Sequence, residues 1–173
     1  NYKSTNKYGI KAQTVRHVDL NDLKGFARDA YGIIKVESAQ IIDGRISYYR
    51  KNSANEYDFA YSIPLQLPLS ARSSVGFNTN QPSTNVADSG LLVENWLSII
   101  NSTDAKRKFK IITYDQNGRL LATRYEVLGK RSRVDIDGGH GLLSSPAVGF
   151  HEIIPLQKGT FYLAQVIRYG KNS

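Results

Sequence analysis

The stretch Arg133-Val134-Asp135-Ile136-Asp137-Gly138-Gly139-His140-Gly141 gathers the residue types that do chemistry. Two carboxylates and an imidazole fall within six positions of glycine-rich chain. Asp135 and Asp137, with backbone carbonyls, are oxygen ligands of the kind a calcium ion takes. A carboxylate beside a histidine is also a common proton-handling pair. The same residues in an acidic turn would only accept backbone N–H groups. The choice among these depends on the elements that hold them.

An internal repeat bears directly on the choice. Val18-Asp19-Leu20-Asn21 matches Val134-Asp135-Ile136-Asp137 at an offset of 116, and Gly25-Phe26 matches Gly141-Leu142 at the same offset. Ala30-Tyr31-Gly32-Ile33 falls on Ala147-Val148-Gly149-Phe150 one residue further, and Tyr49-Arg50-Lys51-Asn52-Ser53 on Tyr169-Gly170-Lys171-Asn172-Ser173 at 120. In the first copy the second aspartate becomes Asn21 and Lys24 stands where His140 stands. A cationic lysine neither ligates a metal nor replaces a histidine base. The comparison therefore favours a structural turn around Asp135. Calcium on Asp135 and Asp137 is the alternative, and catalysis has the least support.

Other chemistry is sparse. No nucleophile elbow, phosphate loop or zinc-protease motif is present. Without cysteine there is no disulfide, thiolate metal site or thiol nucleophile. His17 and His151 each stand alone near an expected strand. Trp96 shares an alternating face with Leu92 and Ile100, and this aliphatic company points to core packing rather than a sugar-stacking platform. Tyr48, Tyr49, Tyr57 and Tyr61 form a cluster suited to a contact surface, although strand propensity also accounts for it. Asn101-Ser102-Thr103 fits the N-glycosylation pattern. The net charge of +8 invites nucleic acid. The cations are dispersed, however, and the clusters Lys106-Arg107-Lys108 and Lys130-Arg131-Ser132-Arg133 fall at expected strand edges or turns, where lysine blocks unwanted pairing.

The elements that position these residues read as strands. The segments Leu92 to Ile100, Phe109 to Tyr114, Leu120 to Val127, Val148 to Ile154 and Phe161 to Tyr169 are β-rich, as are Gly32 to Glu37, Arg45 to Arg50 and Tyr57 to Ile63. Asp115-Gln116-Asn117-Gly118 between two of them is the clearest hairpin signal. The only helix candidate is Asp19 to Tyr31. A long connection rich in Pro, Ser and Asn, 67–90, carries one short strand near Val75-Gly76-Phe77. A 1–66 partial module and a 91–173 second module flank it. No apolar run reaches the length of a membrane helix. The lack of methionine, with Asn1 first, suggests a processed or excised chain.

Four segments, Asn95 to Asn101, Tyr114 to Gly118, Arg133 to Gly138 and Arg168 to Ser173, resemble tandem β-sandwich repeat units of bacterial secreted and surface proteins, which have no assigned activity. The resemblance implies an all-β protein of antiparallel sandwich modules, extracellular or on the cell surface. The missing motifs and the exchange of His140 for Lys24 between copies lead to the expectation of a non-enzymatic chain without cofactor, calcium aside. The register of the repeat leaves both copies incomplete. From this follows the expectation of a structural subunit that joins copies of itself head-to-tail, by strand complementation, into a filament. A carbohydrate-binding or adhesive module is the alternative, and nucleic-acid binding comes third.

Overall fold

A computed structural model describes residues 6–20, 33–80 and 93–169, with the side chains at 50 and 57–61 outside that description. The chain divides into two units, Asn1–Gly32 and Ile33–Ser173. Among the described residues of the first unit, one turn closes through the Thr14 N–H and hydroxyl, both donating to the Lys11 carbonyl.

The second unit is all-β. Its strands are β1 (Arg45–Lys51), β2 (Tyr57–Pro64), β3 (Ser73–Asn78), β4 (Glu94–Asn101), β5 (Arg107–Asp115), β6 (Leu120–Leu128), β7 (Arg133–Asp137), β8 (Val148–Pro155) and β9 (Tyr162–Tyr169). They form three antiparallel sheets: β1-β2, β3-β8-β5-β6 and β7-β4-β9. The expected helix lies outside the described residues except for Asp19 and Leu20.

Local chemistry explains the best-defined turn. Between β5 and β6 the Asp115 carboxylate accepts the N–H groups of Asn117 and Arg119, each at 2.9 Å, and Gly118 takes the positive φ of 78° that closes the turn. These backbone bonds, the one from Arg119 above all, hold the Asp115 carboxyl below its usual range.

The four- and three-stranded sheets meet face to face. Phe109 and Ile111 of β5, Leu128 of β6 and Ile153 of β8 pack against Leu97 and Ile99 of β4, Ile136 of β7 and Tyr162 of β9. The Phe109 and Tyr162 rings meet edge-on at 5.4 Å. Tyr162 also ties in the chain before β3. Its hydroxyl donates to the Ala71 carbonyl at 2.8 Å and lies 2.7 Å from Ser73 Oγ, and its backbone pairs with Leu69. Burial raises its pKa against the opposing effect of the Ser73 hydrogen bond.

Four sequence readings are corrected here. Residues 33–37, expected to extend a strand from Gly32, belong to none. Arg133–Asp137, read as an acidic turn, is strand β7: Val134 and Ile136 face the core while Arg133, Asp135 and Asp137 face out. Asp19 lies outside any strand and Asp135 mid-strand, so the two are not equivalent turn residues, whereas Tyr49 and Tyr169 both lie in strands. Finally, the inward face of β4 carries Val93, Asn95, Leu97, Ile99 and Asn101, all buried, which puts Trp96 on the outer face instead of in the core.

The face assignment is open to a direct check. Leu97→Ala removes core packing and lowers the unfolding free energy by about 2–5 kcal/mol. Trp96→Ala, on the outer face, costs markedly less although it deletes a larger side chain. Urea unfolding of the two variants measures the difference.

Candidate functional site

Antiparallel pairing of β7 with β4 sets Asp137 opposite Trp96, Asp135 opposite Ser98 and Arg133 opposite Ile100. On this outer face Asp135 accepts a charge-assisted bond from Arg133 Nε at 2.9 Å. Asp137 accepts the Gly139 N–H at 2.7 Å and lies 3.4 Å from His140 Nδ1. His140 Nδ1 is 2.8 Å from the Asn95 carbonyl, which also accepts the Gly138 N–H at 2.7 Å. The two carboxylates thus have different partners. Among the described residues no three His, Cys, Asp or Glu side chains converge to hold a metal.

The glycines answer to packing. A Cβ on Gly138 would stand 2.6 Å from the Asn95 carbonyl oxygen. One on Gly139 would meet the Phe77 ring at 2.7 Å, and its φ of +118° excludes other residues independently. The segment after β7 is pressed against β4 and β3 rather than left open as a mobile loop.

Beside it, the outer face of β7-β4-β9 forms a shallow depression of about 360 Å³ lined by Glu94, Trp96, Arg133, Asp135, Ile167 and Tyr169. The half-buried Trp96 directs its indole N–H toward Glu94 at 3.4 Å, and its ring centroid lies 5.3 Å from that of His140. Ser98, in register between Asp135 and Gln165, is fully buried, and its hydroxyl has no hydrogen-bond partner among the described residues. Two carboxylates and one guanidinium give the lining a local charge of the opposite sign to the chain's +8. Sequence reasoning missed this site. Its signal was the i, i+2 spacing of Glu94 with Trp96 and of Arg133 with Asp135, which is readable only once the outward face is known.

Other candidates resolve one by one. Asn101, expected as a glycosylation acceptor, is a correction: its side chain is fully buried. Its Nδ2 donates to the carbonyls of Ala105 at 2.8 Å and Gly129 at 2.7 Å, while Oδ1 accepts the Thr103 N–H and hydroxyl. An attached sugar would destroy this network. His17 is exposed, whereas His151 is buried, with Nδ1 2.9 Å from the Thr113 hydroxyl and its ring against Phe77 at 5.1 Å. Desolvation lowers the His151 pKa, opposed by the Gly138 backbone and the Asp137 carboxylate. Tyr48 and Tyr49 are exposed on β1, and the side chains of Tyr57 and Tyr61 lie outside the described residues. Arg131 pairs with Asp104 at 2.6 Å and Arg133 with Asp135, so two of the three cations in the Lys130 to Arg133 cluster face carboxylates.

The fold and site define an all-β protein with a face-to-face pair of antiparallel sheets and an amphipathic depression on one outer face. No protein-family model matches the chain, and no curated protein matches it. Among solved structures it is similar to the Anabaena sensory rhodopsin transducer. The two are 11% identical with a TM-score of 0.40, over 57% of this chain and 88% of that one, a likeness that carries no argument about this chain. No helix among the described residues is long and apolar enough to cross a membrane.

Two buried polar groups yield predictions. Asn101→Ala strands the Thr103 N–H and removes one of two donors from each of the Ala105 and Gly129 carbonyls, and lowers stability by about 1–3 kcal/mol in denaturant unfolding. His151 is held neutral in the fold, so the unfolded chain binds more protons as pH falls through the ordinary value of 6.5. Stability is therefore full above that value and declines below it. Urea midpoints between pH 7.5 and pH 5 fall for the native chain and fall less for His151→Gln.

Proposed function

We propose that the chain is a non-enzymatic structural protein of an extracellular array, built from related β-units and joined head-to-tail to copies of itself. The observation that supports this most is the β1-β2 hairpin. It forms a two-stranded sheet of its own, and each strand has an edge with no ladder partner among the described residues. A two-stranded hairpin is marginal in water unless a third strand or a covering surface completes it. In the hairpin and near it along the chain, Ile34, Val36, Tyr48 and Tyr49 are exposed, with Ile41 and Leu67 at 103% and 89% relative exposure. Exposed apolar side chains of this kind are what a contact surface would cover.

The sandwich offers a matching edge. Among the described residues strand β6 pairs on one side only, and it exposes Leu120, Tyr125 and Val127. Addition of one copy's hairpin to the β6 edge of the next satisfies both rows of backbone groups by strand augmentation. Such a contact is heterologous and propagates unless its rotation closes a ring. The repeat agrees with the modular part of the reading, since its offset of 120 lays strand β1 on strand β9. The extracellular setting rests on the resemblance to bacterial surface repeats. The non-enzymatic reading rests on the structural hydrogen bonds that engage Asp137, His140 and His151.

Light scattering over a range of concentrations tests the assembly. The native chain is expected to gain mass as it is concentrated. Ser47→Pro, which removes a ladder donor from β1, and Val127→Lys, which charges the β6 edge, are expected to stay monomeric. A native chain that is monomeric throughout overturns the reading.

A further inference from the structure

We infer that the depression on the outer face of β7-β4-β9 binds a neutral sugar ring of a glycan, independently of how the chain assembles. The register of the sheet sorts this face into columns. Strand β7 contributes Arg133, Asp135 and Asp137, β4 contributes Glu94, Trp96 and Ser98, and β9 contributes Gln165, Ile167 and Tyr169. Trp96 therefore stands between a charged column and a largely apolar one. A pyranose has the matching division, with apolar C–H faces and a rim of hydroxyls that both donate and accept.

Each lining group has a definite role in this assignment. Trp96 is the stacking platform. Its ring is backed by His140 at 5.3 Å, and His140 is itself pinned by the Asn95 carbonyl at 2.8 Å. An aromatic fixed before binding loses little freedom when a ligand arrives. Tyr169, 47% exposed at the end of β9, borders the apolar side together with Ile167. Asp135 and Glu94 accept from sugar hydroxyls, and Arg133 donates to one. The volume of about 360 Å³ lies at the small end of ligand sites.

Charge selects the class of ligand. The lining carries two carboxylates against one guanidinium in a chain of net charge +8. Polyanions are therefore drawn to the protein as a whole but away from this face, which suits an uncharged hydroxyl-rich ligand.

Trp96 is the only tryptophan in the chain, so its emission reports on this site alone. The experiment titrates the full chain with galactomannan, xyloglucan, laminarin and a soluble α-glucan, with heparin as the polyanionic control. Native affinity electrophoresis in the same polymers provides a second readout. The expected result is a shift in Trp96 emission and retardation with at least one neutral polymer. Asp135→Asn or Glu94→Gln is expected to weaken binding by about tenfold through loss of a charge-assisted bond, and Tyr169→Ala by about as much. Circular dichroism confirms that the variants are folded, and the two carboxylate variants serve as alternates if one is not. The inference is overturned by no response to any neutral polymer, by a response to heparin alone, or by binding that folded variants leave unchanged.

Discussion

Two buried amides, Asn95 and Asn101, determine which way the central strand β4 faces. They lie an even number of residues apart and therefore on the same side of the strand. Asn95 donates from Nδ2 to the carbonyls of Asn78 and Val93 and accepts the Asn78 N–H, which ties β4 to the end of β3. Asn101 does the same at the other end, drawing the carbonyls of Ala105 and Gly129 and the Thr103 N–H around one side chain. A one-residue slip or a face reversal would abandon both networks and put Leu97 and Ile99 in water. Losing satisfied buried amides costs about 1–3 kcal/mol for each stranded group. The apolar row between them and the amides at its ends thus enforce the same register.

The rest of the three-stranded sheet follows from that register. With Asn95 inside, Trp96 is outside, and pairing with β7 brings Asp135 and Asp137 to the same outer face. The Asn95 carbonyl then serves a second purpose, receiving Gly138 and His140 and so drawing the glycine-rich turn tightly against the strand. The residue types that suggested metal binding or proton transfer are spent on this closure and on the Arg133–Asp135 pair. What remains open on that face is amphipathic, an indole and a phenol beside charged side chains.

The hairpin β1-β2 illustrates a different balance. Its ladder is regular over most of its length, with Tyr48 opposite Tyr61 and Tyr49 opposite Ala60. Yet its chain neighbours expose apolar groups of the kind that the sandwich strands bury in their core. A core of the sandwich type needs two faces, and a lone hairpin supplies only one.

Much of the fold was legible in the sequence because strand patterning is local. The β-rich runs of β1, β2, β5 and β6 and the Asp115 to Gly118 turn are all encoded within a few residues, and so was the short β3 inside a Pro- and Ser-rich stretch. A period of two states that faces alternate, but not which face is buried. In β4 each face mixes polar and apolar residues, and the face with two asparagines turned out to be the inner one. Their partners lie as far as 17 and 28 residues away, so nothing nearby marked them as buried. The same limit hid β7: beside glycines its carboxylates read as a turn, and only pairing with β4 showed Val134 and Ile136 pointing inward. Likewise the need for Gly139 comes from the Phe77 ring of a distant strand. The sequence by itself determined most of the strands and the tightest turn, because backbone propensity and turn hydrogen bonds act over a few residues. The tertiary structure alone decided the inner face of β4, the burial of Asn101 and the assembly of the outer-face depression, because each depends on partners brought close only by sheet packing.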